Sequence, residues 1–246
     1  MRWKTILCSS AFALGLFATS ASAAAITGKL NITGAANVTA DSIDWIPLGG
    51  DTGEFVVVFP SSGYFAGIDI PVNDNTGDAL DLPAGPFPVE GFLDNFTTPN
   101  PEYDDLSFTL EGFALPVVPV CGTPDGSGVA GDTPGESCVA FAGSPFTLTM
   151  GADGISTDIN FNVFGSFVDL TYGDDGSLNN ATGLYTANIA DMTPAEIQAE
   201  INSGGSVGSS YSAQFVAEAQ AVPEPLTLTM TGLGLAALGY RRRKRS

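Results

Sequence analysis

Ile155-Ser156-Thr157-Asp158-Ile159-Asn160-Phe161-Asn162-Val163-Phe164-Gly165-Ser166-Phe167-Val168-Asp169-Leu170 is the stretch on which the fold reading turns. Ile159, Phe161, Val163 and Phe167 share one parity, the two-residue period of a strand with one covered face. Phe164 and Val168 break that parity on either side of Gly165, so a bulge or bend is expected there. The pattern recurs outward along the chain. Phe146 to Met150 alternates as Phe-Thr-Leu-Thr-Met, and Leu106 to Leu115 alternates through Leu106, Phe108 and Leu110 before Phe113 and Leu115. Ile26, Leu30 and Ile32 share a face over Ile26 to Thr33. Glu54 to Phe59 is a short apolar run suited to a strand buried on both faces. Tyr64 to Ile70, after the turn Pro60-Ser61-Ser62-Gly63, Leu184 to Ile189 and Tyr211 to Val216 complete the set.

Turn signals punctuate these runs at Gly49-Gly50-Asp51, Asn75-Thr76-Gly77, Asp153-Gly154 and Asp174-Asp175-Gly176. Short strands with regular punctuation argue for an antiparallel sandwich or barrel, and the expected fold is all-β, an antiparallel β-sandwich of jelly-roll or immunoglobulin type. Asp153-Gly154 and Asp175-Gly176 are expected at hairpin tips. One helix interrupts the pattern near the end of the domain. Thr193-Pro194-Ala195-Glu196 is a capping box with proline at the first helical position. Ile197 and Ile201 lie one turn apart on its inner face, and Asn202-Ser203-Gly204-Gly205 ends it.

The two ends of the chain carry a different signal. Met1-Arg2-Trp3-Lys4 is a basic start, Ile6 to Thr19 is apolar, and Ala21-Ser22-Ala23 supplies a small-x-small cleavage site. Residues 1–23 therefore read as a signal peptide cut between Ala23 and Ala24, with Ala23-Ala24-Ala25 as an alternative site. At the other end, Val222-Pro223-Glu224-Pro225 precedes the uncharged stretch Leu226 to Tyr240, and Arg241-Arg242-Arg243-Lys244-Arg245 follows. As a helix that stretch is roughly 22 Å long, short of a hydrocarbon core of about 30 Å. The arginine stems can make up the difference by snorkelling, and the basic cluster is expected to stay on the cytoplasmic side. Pro223 and Pro225 hold Glu224 extended, in a form that a processing enzyme can grip. Hydropathy alone fits an ordinary C-terminal anchor equally well. The order of motifs, however, resembles the PEP-CTERM sorting tag of bacteria that export proteins alongside exopolysaccharide. The resemblance covers about 25 residues at the end of the chain. It implies processing near Pro223-Glu224-Pro225 by an exosortase, a membrane-embedded cysteine transpeptidase-like enzyme. It implies sorting and no particular activity. The expected organisation is a signal peptide over 1–23, a secreted β-sandwich over 24–216, a linker over 217–222 and the tag over 223–246.

Between Ala24 and Val222 the chain holds 26 of its 27 acidic residues and, of its eight basic ones, only Lys29, a net charge of about −25. Such a surface repels nucleic acid and anionic lipid and favours solubility. Cys8 falls in the leader. Cys121 and Cys138 remain, 17 positions apart, and in an oxidising compartment an even pair reads as a disulfide.

The composition also excludes chemistry. The chain has no histidine, so the Ser-His-Asp and Cys-His arrangements and the usual zinc sites fall away. Gly49-Gly50 lacks the Lys-Ser/Thr of a phosphate loop. A carboxylate pair of the glycosidase kind needs only two acids, and with 26 available proximity alone discriminates nothing. Asn73-Asp74-Asn75-Thr76-Gly77-Asp78 places oxygens at alternate positions, as a calcium loop does, but lacks the distal glutamate. Asp74, Asn75 and Asp78 are its candidate ligands, and Asp104-Asp105 and Asp174-Asp175 are further oxygen clusters. Trp45, Tyr64, Tyr103 and Tyr172 are the candidates for exposed sugar stacking. The expectation is a non-enzymatic surface or matrix protein without an obligatory cofactor, whose partners are signal peptidase and exosortase during export and extracellular polysaccharide afterwards. The alternatives are a glycan-binding module, calcium-assisted or not, and a carboxylate-pair hydrolase. An exposed aromatic row would favour the binder, a cleft with facing carboxylates the hydrolase, and flat polar sheets the structural role.

Overall fold

The computed structural model describes residues 25–40, 42–46, 53–68, 75–83, 86–97, 103–126 and 128–220. Ala25 opens that range, so the residues of both processing sites, Ala23, Ala24, Pro223, Glu224 and Pro225, and the basic cluster lie outside it. Thirteen strands and one α-helix are described, and all the strand ladders are antiparallel. The four long strands are β1 (Gly28–Val38), β11 (Thr157–Val168), β12 (Asn179–Ile189) and β13 (Val207–Ala219). Between them in sequence lie β2 (Ser42–Ile46), β3 (Gly53–Val57), β4 (Ser62–Gly63), β5 (Thr76–Ala79), β6 (Leu82–Pro83), β7 (Val89–Thr97), β8 (Ser107–Ala114), β9 (Ser137–Cys138) and β10 (Thr147–Met150).

The expected sandwich is corrected by the ladder order. Hydrogen bonding runs β11-β12-β13-β1-β3-β5-β7-β8 and returns from β8 to β11, so eight strands close into a ring. Closure removes the free edges that two separate sheets would leave. The pairing of β1 shows how a broken segment completes the wall. β2, β3 and β4 lie in succession along one side of β1, opposite Ala35–Val38, Ile32–Gly34 and Gly28–Lys29 respectively.

A ring of eight strands has an interior that side chains can fill, and the register fills it by setting large residues beside small ones. Tyr211 stands opposite Gly34 on one side and Ala187 on the other. Phe215 stands opposite Gly183, and Tyr185 opposite Ala213. A methyl group on Gly34 would lie 2.6 Å from Tyr211 Oη, so that glycine makes room for the ring. Phe161 and Tyr185, directly paired, stack at 4.5 Å and 8°. Phe108 reaches Phe215 on a non-neighbouring strand at 5.1 Å. The core is thus a connected set of aromatic contacts, each favourable beyond its buried area.

The bulge expected near Gly165 is present: the β8–β11 register shifts between Phe164 and Gly165. A Cβ on Gly165 would sit 1.9 Å from the Thr109 carbonyl oxygen, a close backbone approach that only glycine allows. Other local expectations change. Tyr64–Gly67 forms a 3-10 turn with Phe65 buried beneath it, where a strand was expected. Asn75-Thr76-Gly77 leads into β5 instead of turning, and Gly77 lies under the Phe55 ring. Glu54–Val57 has one fully buried face, not two. β13 runs to Ala219, three residues into the segment read as linker.

A second, smaller core closes one end of the ring. The helix α1 (Pro194–Asn202) carries the capping box as read: Thr193 Oγ1 accepts from the Glu196 N–H, and Glu196 accepts from the Thr193 N–H. Ile197 and Ile201 are buried against Cys121, Cys138, Ala140 and Leu148. Cys121 and Cys138 form the disulfide, with Cα atoms 4.9 Å apart. Gln198 Nε2 donates to the Ala140 carbonyl at 2.8 Å, tying the helix to the segment just after Cys138.

Candidate functional site

The outer wall built by the four long strands β1, β13, β12 and β11 carries a row of outward polar residues. Strand alternation turns Asn31, Thr33, Ser210, Ser212, Gln214, Thr186, Asn188 and Asp158 outward while the core residues point in. Several are fixed in place by hydrogen bonds. Gln214 Nε2 donates to Asn31 Oδ1 at 2.9 Å, Asn188 Nδ2 to Asp158 Oδ1 at 2.8 Å, Thr33 Oγ1 to the Tyr211 carbonyl at 2.7 Å, and Thr186 Oγ1 to the Ser212 carbonyl at 3.2 Å. Thr33, Asp158, Thr186, Asn188, Ser210 and Ser212 line a shallow groove of about 330 Å³. Hydroxyls and amides there offer both donors and acceptors, with one carboxylate at the rim. Next along β12 and β11, Leu184 and Phe164 point to the same side and are both exposed, and Phe164 lies over Gly112. The wall therefore joins a polar groove to one exposed aromatic ring.

The residues anticipated for sugar stacking are placed differently. Trp45 and Tyr103 are core residues, corrected from exposed platforms, and Tyr64 is half-buried. Tyr172 is exposed, with its ring 4.7 Å from Tyr64. The signal for Phe164 was present in the sequence as a parity break, but alternation alone does not say which side of a bulged strand faces solvent.

Two of the proposed calcium ligands, Asn75 and Asp78, are described, and each is engaged by the protein's own groups. Asn75 is buried, and its amide donates to the Ile68 carbonyl. Asp78 accepts from Asn95 Nδ2 at 2.9 Å. Asp74 lies outside the described residues. Among the described residues no group of three or more acidic or cysteine side chains is placed to hold a metal ion.

The oxygen cluster at Asp174 has a different use, and Asp169 joins it. Both carboxylates are fully buried in the β11–β12 connection. Asp174 accepts from the Ile26 N–H at 2.8 Å, Asn179 Nδ2 at 2.9 Å and the Gly176 N–H at 2.9 Å. Asp169 accepts from the Tyr172 N–H at 2.8 Å and from the Tyr64 hydroxyl. Asn179 also bonds both the N–H and the carbonyl of Phe167, at 2.9 and 2.8 Å. Burial and the Asp169 carboxylate together push the Tyr64 phenol well above its ordinary range, so it remains a proton donor. This constellation pins the incoming strand β1 to the loop. Asp175, by contrast, is exposed, and the Ser177 side chain and N–H hold its carboxyl below the usual range.

Among the described residues no helix is long and apolar enough to cross a membrane; the tail read as a span is not among them. Comparison with family models, curated proteins and solved structures returned no match to this chain.

Proposed function

We propose that this is a non-enzymatic exported protein of the cell surface or extracellular matrix, sorted by the exosortase system of an exopolysaccharide-producing bacterium. The observation that carries the reading is the order of the last segments. β13 is paired on both sides, to β1 and to β12, and ends at Ala219. Pro223-Glu224-Pro225 follows after three residues, ahead of the apolar stretch and the basic cluster. Cutting at that motif releases the body without removing a single strand from the ring. Signal peptidase acts between Ala23 and Ala24, exosortase near Glu224, and the protein passes from a transient inner-membrane anchor to the surface or matrix. The polar wall and the high negative charge support a solvated, non-catalytic role in that layer. Intact mass of the protein from its host, beside an exosortase-deficient strain, tests this. The expected result is a chain ending near 223–225 in the host and an uncut tail in the mutant. An uncut tail in both strains would overturn it.

A second reading is a glycan-binding module, favoured by the polar groove together with Phe164, exposed farther along the same wall. Aromatic faces stack on apolar sugar faces while hydroxyl and amide groups pair with sugar hydroxyls. Titration with acidic and neutral polysaccharides, with and without calcium, tests it. Phe164→Ala should abolish binding while leaving the fold intact, and unchanged binding in that variant would sink the reading. The hydrolase alternative has less support, because the buried carboxylates Asp169 and Asp174 are held by the protein's own donors.

A further inference from the structure

Two carboxylates in the β11–β12 connection are buried side by side with only neutral donors around them. Asp169 and Asp174 are both 0% exposed. They are antiparallel bridge partners, each N–H donating to the other's carbonyl, at 2.8 and 3.0 Å. Directly opposed residues send their side chains to the same face, with Cβ atoms about 5 Å apart, and like charges so placed repel. Every oxygen of the pair accepts a hydrogen bond, as ionised carboxylates do. Asp169 Oδ1 accepts from the Tyr172 N–H and Oδ2 from the Tyr64 hydroxyl. Asp174 Oδ1 accepts from the Gly176 N–H, and Oδ2 from Asn179 Nδ2 and the Ile26 N–H. All five donors are neutral, and burying charge is costly unless it is paired.

The body of the chain has few cations to offer. Between Ala24 and Val222 only Lys29 is basic, and it is exposed on the outward parity of β1. Once leader and tail are removed, the one further positive group is the chain's own α-ammonium. The Ile26 nitrogen already stands 2.8 Å from Asp174 Oδ2. It is held there by its side chain, which is 0% exposed and packs in the larger core. Ala23-Ala24-Ala25, the alternative small-x-small site, places a cut immediately before Ile26. A cut after Ala23 leaves two further residues on that nitrogen, which then remains a neutral amide.

We propose that signal peptidase cuts after Ala25, so that the mature chain begins at Ile26 and its α-ammonium is the counter-ion of the buried Asp169–Asp174 pair. This rests on the export reading above and moves its first cut by two residues. Hydrolysis of the Ala25–Ile26 bond consumes one water. The Ala25 carbonyl takes the hydroxyl, the Ile26 nitrogen takes the hydrogen, and the proton of the new carboxyl group passes to the amine. The cut falls on the extended chain during export, before the ring closes, so the burial of Ile26 does not hinder it. A neutral N–H···O bond becomes a charge-assisted one without any movement of the strand. Processing and folding are thereby linked: the uncut precursor keeps an amide at this point, and its β1 is pinned less firmly to the β11–β12 connection.

N-terminal sequencing and amine labelling of the protein purified from its host test this. The expected N-terminus is Ile26. Its α-amine should be acetylated at least about tenfold more slowly in the folded protein than in urea, because the carboxylates keep it protonated. Lys29, exposed, is the internal control and should label alike in both states. Ala25→Gln removes the small residue that the second site requires and leaves Ala21-Ser22-Ala23 intact. That variant should begin at Ala24, and its α-amine should label at similar rates folded and unfolded. An N-terminus at Ala24 in the native protein would overturn the proposal and leave the export reading standing, whereas an intact leader would overturn both. Equal labelling of the Ile26 amine in folded and unfolded protein would also overturn it, and would point to a proton shared between Asp169 and Asp174. So would protection in Ala25→Gln as large as in the native protein.

Discussion

At the residue scale the buried polar groups of the β11–β12 connection are the most sensitive points. Asn179 is 1% exposed and makes three side-chain bonds, two to the Phe167 backbone and one to Asp174. Asn179→Ala would leave an N–H, a carbonyl and part of a carboxylate buried and short of partners. At about 1–3 kcal/mol for a stranded buried group, the variant should lose about 3 kcal/mol or more of stability, read as a lower urea midpoint. A loss below about 1 kcal/mol would mean that water replaces the amide. Little of this network was legible in the sequence. Asp174-Asp175-Gly176 reads as a turn, which it is, but nothing local says that Asp174 points inward to meet the Ile26 N–H, 148 residues away.

At the element scale, α1 and the disulfide form one unit. Thr193→Ala removes the acceptor of the capping box and should cost about 1 kcal/mol, seen as faster amide exchange in residues 194–197. The Thr193 N–H and hydroxyl hold the Glu196 carboxyl below its usual range. A depressed folded value means that the cap's contribution is present above the ordinary carboxylate range and lost as pH falls through the folded value. Protection of the helix amides, corrected for intrinsic exchange, should therefore fall on acidification through the folded value of Glu196, and a Glu196→Gln variant should lack that step. The Cys121–Cys138 bond closes a loop whose apolar residues pack on Ile197 and Ile201. Chain entropy for a loop of that size is about 3 kcal/mol. Paired Cys121→Ser and Cys138→Ser changes should lower stability by about that amount, with loss of order concentrated in the 121–138 loop and α1. An equal loss of protection across the long strands would show the two cores to be a single cooperative unit.

At the scale of the whole molecule, the aromatic interior sets an alkaline limit. Burial raises the Tyr185 and Tyr211 phenols above their ordinary value of 10.0, and burial with Asp169 does the same for Tyr64. For a raised folded value the contribution is complete below the unfolded pKa and declines as pH rises toward the folded one. Stability should fall steadily above about pH 10. Tyrosinate absorbance should show three phenols that ionise only as the ring opens. Simple titration of all tyrosines near pH 10 with the fold intact would contradict the buried placement.

Local order was legible where the physics is local. The capping box needs only four adjacent residues, so Thr193 and Glu196 announced the helix, and the parity break at Phe164 announced the bulge at Gly165. Two cysteines in a chain read as exported announced their bond. β7 was missed because its bulges place Phe92 and Leu93 both inward, which destroys the two-residue period. The stacking role expected of Trp45 failed because an amphipathic ring reads the same in a core as on a surface. Closure of the sheet was decided only by tertiary structure. A sandwich and a barrel demand the same alternation in every strand, and they differ only in whether β8 finds β11. The sequence by itself determined the faces of the regularly alternating strands, the helix and the disulfide, and it alone carries the proposed sorting route. The tertiary structure alone decided ring closure, the polar outer wall and the meeting of Trp45, Tyr185 and Tyr211, because these depend on partners far apart in the chain.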